Sequence, residues 1–174
     1  MSIMSSFIIP KRKARPSGKD AYLQALIGKE GSEAQLTWAI LGGADSLVEE
    51  PSSALDYVAL SRKGLQKKAL ATLASVMSIP MKEMAELLNL SYKTLGRKRS
   101  EDTMDSLSSS LAIEMAQLVA RGLSVFGDQD RLQRWLQRPN HALSGQTPLS
   151  LLNSPTGIRL VGSILTRIEE GILT

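Results

Sequence analysis

From Leu65 to Ile168 apolar side chains return every three or four residues, and nowhere does the chain keep the period-two alternation of a half-buried strand. That periodicity predicts an all-α fold. Leu65, Ala69, Leu70, Leu73 and Met77 form one helix face, and Pro80 opens a new helix with Met84, Ala85, Leu87 and Leu88 inside. A long helix is expected from Asp102 to about Leu123, with Leu107, Leu111, Met115, Leu118 and Val119 on one side. Gly127 breaks it, and Asp128 caps a helix through Leu132, Trp135 and Leu136 that ends before Pro139. The last helix is the best delimited, because Ser154 suits the cap, Pro155 the first turn and Gly171 the exit, with Ile158, Val161, Leu165 and Ile168 inward.

Upstream, Leu23, Leu26 and Ile27 suggest a short helix from Asp20 to Gly28 or Gly31. A second begins at Ser32 and carries Leu36, Ala39 and Ile40 to the stop at Gly42 and Gly43. A third runs from Ser53 past Leu55, Val58 and Ala59. The division expected is a flexible basic arm at 1–19, a helical region at 20–60, a DNA-binding and dimerisation region at 61–124 and a separate C-terminal region at 125–174.

A chain of 174 residues, 43% of them hydrophobic, buries enough surface to fold without staples. It has no cysteine and one histidine, His141, so disulfides and thiolate metal sites are excluded and no metal or cofactor is expected. His141, beside Asn140, reads as a local structural hydrogen-bonder, and Trp135 as a core anchor. Gly42-Gly43 lacks the Lys and Ser/Thr of a phosphate loop. Glu169 and Glu170 are adjacent on a helix and point apart, so they form no acid/base pair. No catalytic set emerges. No apolar run reaches the roughly 18 residues of a membrane span. Phe7, Ile8 and Ile9 precede the basic run Lys11 to Arg15, the reverse of a secretory signal, and the expected location is the cytoplasm.

The net charge of +4 hides a strong asymmetry. Residues 61–100 hold nine Lys/Arg against Glu83 and Glu86, whereas residues 101–174 hold six Arg against eight acids. A concentrated positive segment is an electrostatic footprint for a polyanion, and charge alone does not separate that from a solvated basic face. The sequence from Pro80 to Arg99 adds the missing pattern. Ala85 lets a second helix cross closely, Asn89 tolerates the left-handed turn, Leu90 plugs it, Ser91 caps, and Leu95 turns inward. This is a helix-turn-helix with Tyr92, Lys93, Thr94, Arg97 and Lys98 outward. Tyr92, Lys93 and Arg97 are candidates for base edges, and Lys98, Arg99 and, more weakly, Lys67 and Lys68 for phosphates. A plain helical hairpin with a basic face is the alternative.

The C-terminal third carries three motifs: Trp-Leu-Gln-Arg-Pro-Asn-His-Ala-Leu at 135–143, Thr-Pro-Leu-Ser-Leu-Leu at 147–152 and Ser-Pro-Thr-Gly-Ile-Arg-Leu-Val at 154–161. With the ending Leu165-Thr-Arg-Ile-Glu-Glu-Gly-Ile172, they resemble the Xre/MbcA/ParS family of antitoxins, and the upstream helix-turn-helix is similar to that family's Xre-like module. Residues 1–55 match nothing recognisable. The resemblance implies a non-enzymatic antitoxin that binds an NAD-consuming RES-domain toxin, blocks its pocket with the C-terminal segment and represses its own operon. Carried over, the toxin contacts are Arg159, Glu169, Glu170, Ile172, Leu173 and Thr174.

Physically, a rigid helix ending in two large aliphatic residues enters a concave pocket at low ordering cost, with a terminal carboxylate for cationic groups there. The competing reading has Ile172 and Leu173 capping this chain's own core. Dimerisation is expected from the two-fold symmetry of operators, with Leu107, Leu111, Met115 and Leu118 either at the seam or in the core, and a larger assembly with toxin is expected too. The rivals in function are a stand-alone repressor whose C-terminal region dimerises or senses a ligand, and a small enzyme using Asp or Glu.

Overall fold

The computed structural model describes residues 23–27, 31–46 and 50–172. The basic arm, the predicted helix start at Asp20, its stop at Gly28, and Leu173 and Thr174 lie outside the described residues. Among those described, helices account for the regular structure, and a single bridge between Gln66 and Thr103 is the extended pairing.

After a helical segment at 23–27 come α1 (Glu33–Ile40), α2 (Ala54–Lys63), α3 (Lys67–Met77), α4 (Met81–Leu87), α5 (Tyr92–Arg97), α6 (Ser106–Phe126), α7 (Gln129–Leu136) and α8 (Pro155–Glu169). Short 3-10 turns at His141–Leu143 and Leu149–Leu151 join α7 to α8. Four of the predicted starts carry side-chain caps. Ser32 and Ser53 form capping boxes with Gln35 and Asp56, Asp128 accepts from Arg131 N–H, and Ser154 accepts from Gly157 N–H.

α6 is the axis. It is 21 residues long, about 31 Å at the α-helical rise, and α1 and α2 pack on it as do α7 and α8. Because neighbours cover it from several sides, it is buried well beyond a single stripe: Leu111, Ile113, Met115, Leu118, Val119 and Leu123 all lie in one continuous core with Leu70, Leu73, Ile158 and Leu165. This resolves the choice left open for Leu111, Met115 and Leu118, which are core. Leu107, being 83% exposed, is not core in the single chain, which leaves the seam as its remaining alternative. The helix starts at Ser106 rather than near Asp102, with Asp105 as cap, so Leu107 sits in a first turn that no other element covers.

α2 also differs from its simplest reading. Leu55, Val58 and Ala59 face solvent, while Tyr57 and Leu60 lean on the core and Ser61 is buried. Two glycines permit close crossings at the C-terminal end: a Cβ on Gly157 would collide with the Leu151 carbonyl, and one on Gly122 would stand 2.6 Å from Leu132 Cδ1. No helix among the described residues is long and apolar enough to cross a membrane.

Candidate nucleic-acid interface and C-terminal site

α4 and α5 form the predicted hairpin. Met84, Ala85, Leu87 and Leu88 are buried below it, Asn89 takes φ 56°, Leu90 packs against the core and Leu95 is buried. The turn is closed by Leu90 N–H donating to the Ala85 carbonyl at 2.8 Å. Ser91 occupies the cap position, but its hydroxyl makes no capping bond; its carbonyl accepts from Leu95 N–H at 2.9 Å. The Asn89 side chain does what the sequence did not foretell, donating to the Asn153 carbonyl at 3.1 Å and tying the turn to the C-terminal region.

Tyr92, Lys93, Thr94 and Arg97 are all exposed on one short helix, as a groove-reading face requires. The cations assigned to phosphates are less free. Lys98 donates from Nζ to the Thr103 carbonyl at 2.8 Å, Lys67 from Nζ to the Lys98 carbonyl at 2.6 Å, and Arg99 pairs with Asp102 at 3.3 Å. These bonds belong to one device. The segment after α5 is laced to the start of α3 by Lys67 N–H to Asp102 at 3.0 Å, Lys68 N–H to Ser100 at 3.0 Å and Met104 N–H to Leu65 at 2.8 Å. Gly64 at φ 88° is needed there, because a side chain would meet the Met104 carbonyl. Arg99 N–H donates to the Asp102 carboxylate, which holds that acid below the usual range, and Ser108 N–H does the same for Asp105 at the start of α6.

α8 is fixed at both ends by its own sequence. Ser154 and Pro155 set the start; at the exit Gly171, at φ 72°, donates to Ile168 at 3.0 Å and Ile172 N–H donates to Arg167 at 2.8 Å, the paired bonds of a Schellman ending. Ile172 is 53% exposed, so this residue does not seal the chain's own core. Arg159 is exposed and bonded to Thr156 at 3.0 Å. Glu169 pairs with Arg121 at 3.1 Å and so pins α8 to α6, while Glu170 is exposed at the cap. Arg159 and Arg121 also line a groove of about 710 Å3, which takes in Glu33 and Glu114. Among the described residues no group of three His, Asp or Glu is placed to hold a metal ion.

Trp135 meets its prediction as a core anchor in part. It packs against the core only in part, its ring centroid 5.4 Å from that of Phe126 at 45°, and the rest walls an open cleft of about 470 Å3. Arg131, Arg134, Arg138 and His141 line the same cleft. The local bond expected of His141 is made by its neighbour: Asn140 Oδ1 accepts from Ala142 N–H at 2.8 Å. The arginines were missed because their region is net negative; their spacing of three and four was the available signal.

The fold and the hairpin define a helical DNA-binding domain of the helix-turn-helix class with a helical extension built on the same core. Comparison with known proteins divides it likewise: residues 56–121 match the antitoxin Xre-like helix-turn-helix domain and residues 121–171 the antitoxin Xre/MbcA/ParS C-terminal toxin-binding domain. The chain belongs to the Xre/MbcA/ParS antitoxin family. It is 25% identical over 130 residues to a Prs ADP-ribosylating antitoxin of Sphingobium sp., an alignment covering 69% of this chain and 82% of that protein. To an Antitoxin Xre of Pseudomonas putida it is 36% identical over 56 residues, covering 32% of this chain and 35% of that protein.

Proposed function

We propose that the chain neutralises a cognate RES-domain, NAD-consuming toxin by placing the segment that follows α8 in the toxin's active site, and that it represses its own operon as a homodimer through α5. The observation that carries this is the exit of α8. A Schellman ending fixes the helix, and half of Ile172 stands in solvent immediately beyond it. A large aliphatic side chain presented from a rigid support enters a pocket with little further ordering cost. Inhibition of this kind is steric and needs no catalytic residue. A relative whose name includes ADP-ribosylation fits an NAD-consuming partner, since ADP-ribosyl transfer consumes NAD. Arg159, Glu169 and Glu170 would flank the plug. An operator and a toxin that draws on NAD place the antitoxin in the cytoplasm.

The test pairs the chain with the product of the adjacent gene. The full chain is expected to stop that product's NAD consumption, and a variant lacking residues 172–174 is expected to leave it running while keeping the same helicity and operator affinity. NAD loss that continues unabated in the presence of the full chain would overturn the reading in favour of a stand-alone repressor.

A further inference from the structure

α7 carries Arg131 and Arg134 three residues apart on one side of the helix, and Arg138 follows just beyond its end, before Pro139. The rest of the helix is committed elsewhere. Leu132 and Leu136 are buried, and Gln129 and Gln133 donate to the Val76 carbonyl at 3.2 and 2.7 Å, so α7 has no freedom to roll the arginines away. Like charges so spaced repel and weaken a helix. None of the three is in an ion pair among the described residues: the Asp128 carboxylate accepts the Arg131 backbone N–H as the helix cap, and Asp130, four residues before Arg134, forms no salt bridge with it. The three arginines nonetheless converge on the cleft that Trp135 and Phe126 wall.

We infer that this cleft is a docking site for an acidic segment of the toxin, separate from the segment beyond α8. The inference rests on the toxin-binding reading above and adds a second anchor to it. Guanidinium forks take carboxylates in bidentate pairs, and Trp and Arg dominate the energetics of protein interfaces. The two rings decide between a protein and the operator as occupant. Duplex DNA offers phosphates to the arginines but keeps its base faces stacked inside, whereas an acidic peptide brings carboxylates and apolar side chains together. The cleft also lies inside residues 121–171, the stretch that matches the toxin-binding domain.

Two anchors of different chemistry respond differently to salt. Charge pairs at the rim speed encounter and are screened by salt, while an apolar plug is not. The experiment measures toxin affinity of the full chain and of the Arg134→Glu/Arg138→Glu variant at low and high salt, with thermal melting and operator affinity alongside. The expected result is a Kd raised on the order of tenfold or more at low salt, a flattened salt dependence and unchanged operator binding. The Arg134→Lys/Arg138→Lys variant, which keeps the charge and loses the fork, is expected in between. Arg134→Gln/Arg138→Gln repeats the measurement without reversed charge, should the first variant melt early. An unchanged Kd and salt slope would overturn the inference while leaving the plug standing. Weakened operator affinity with intact toxin binding would overturn it by assigning the arginines to DNA. A wild-type chain that fails to bind the toxin at all would remove the underlying reading and this site with it.

Discussion

The helix offered to DNA and the helix that leads to the toxin are held in opposite ways. α5 has six residues, one buried side chain and no side-chain cap, far below the length at which a helix persists alone. It is kept in place from outside, by α4 beneath it and by the laced segment from Lys98 to Met104. α8 has 15 residues, a hydroxyl cap, a proline at its start and a Schellman exit, so its limits are written in its own sequence. The contrast implies that operator recognition is sensitive to changes in the scaffold, whereas presentation of the plug depends on α8 and what it packs against.

The largest effect should come from removing residues 172–174, which abolishes relief of growth arrest and leaves operator affinity as it was, with the melting temperature lowered only by the loss of the Ile172 N–H to Arg167 bond. Operator affinity that falls with it would erase the division of labour. Arg97→Ala should cost about 1–3 kcal/mol in operator binding, read by titration at fixed salt, with toxin binding untouched. Gly157→Ala should destabilise the fold by roughly 1–3 kcal/mol in a denaturant melt, because the new methyl group meets the Leu151 carbonyl; a neutral result would mean that the crossing can open.

Asp105→Ala removes the cap of α6 and should cost about 1 kcal/mol. Its sign with pH is defined. The carboxyl is held below its ordinary 3.8 by Ser108 N–H, so the contribution is complete above that value and fades as pH falls through the lower folded one. The difference between Asp105→Ala and the parent should therefore shrink in acid melts, and a difference that grows instead would reject the assignment. Smallest is Lys98→Ala. It should weaken operator binding less than Arg97→Ala and reduce the salt slope, because its ammonium already rests on the Thr103 carbonyl.

Most helix limits were legible because caps and stops are local: Ser32, Ser53, Asp128, Ser154, Gly127 and Gly171 act on backbone groups within a turn of themselves. The recognition face was legible for a similar reason, since an inward Leu95 leaves Tyr92, Lys93 and Arg97 outward by helical spacing alone. Leu107 shares the helical periodicity of its buried neighbours, and only the lack of a facing element among the described residues leaves it exposed, which the sequence does not show. For Trp135 the core contact was legible and the cleft was not, because a large aromatic ring can do both and its spacing does not say which neighbours its outer face meets.

By itself the sequence determined that this chain is a set of capped helices with one basic hairpin and a rigid final helix. Tertiary structure alone decided which neighbours each face meets: that Lys67 supports the backbone after α5, that Glu169 holds Arg121, and that three arginines in a net-negative region gather beside Trp135. Hydrogen bonds along a helix span three or four residues and can be read from neighbours in the chain. Contacts between helices join residues tens of positions apart, and only the packing of α6 against its neighbours brings those together.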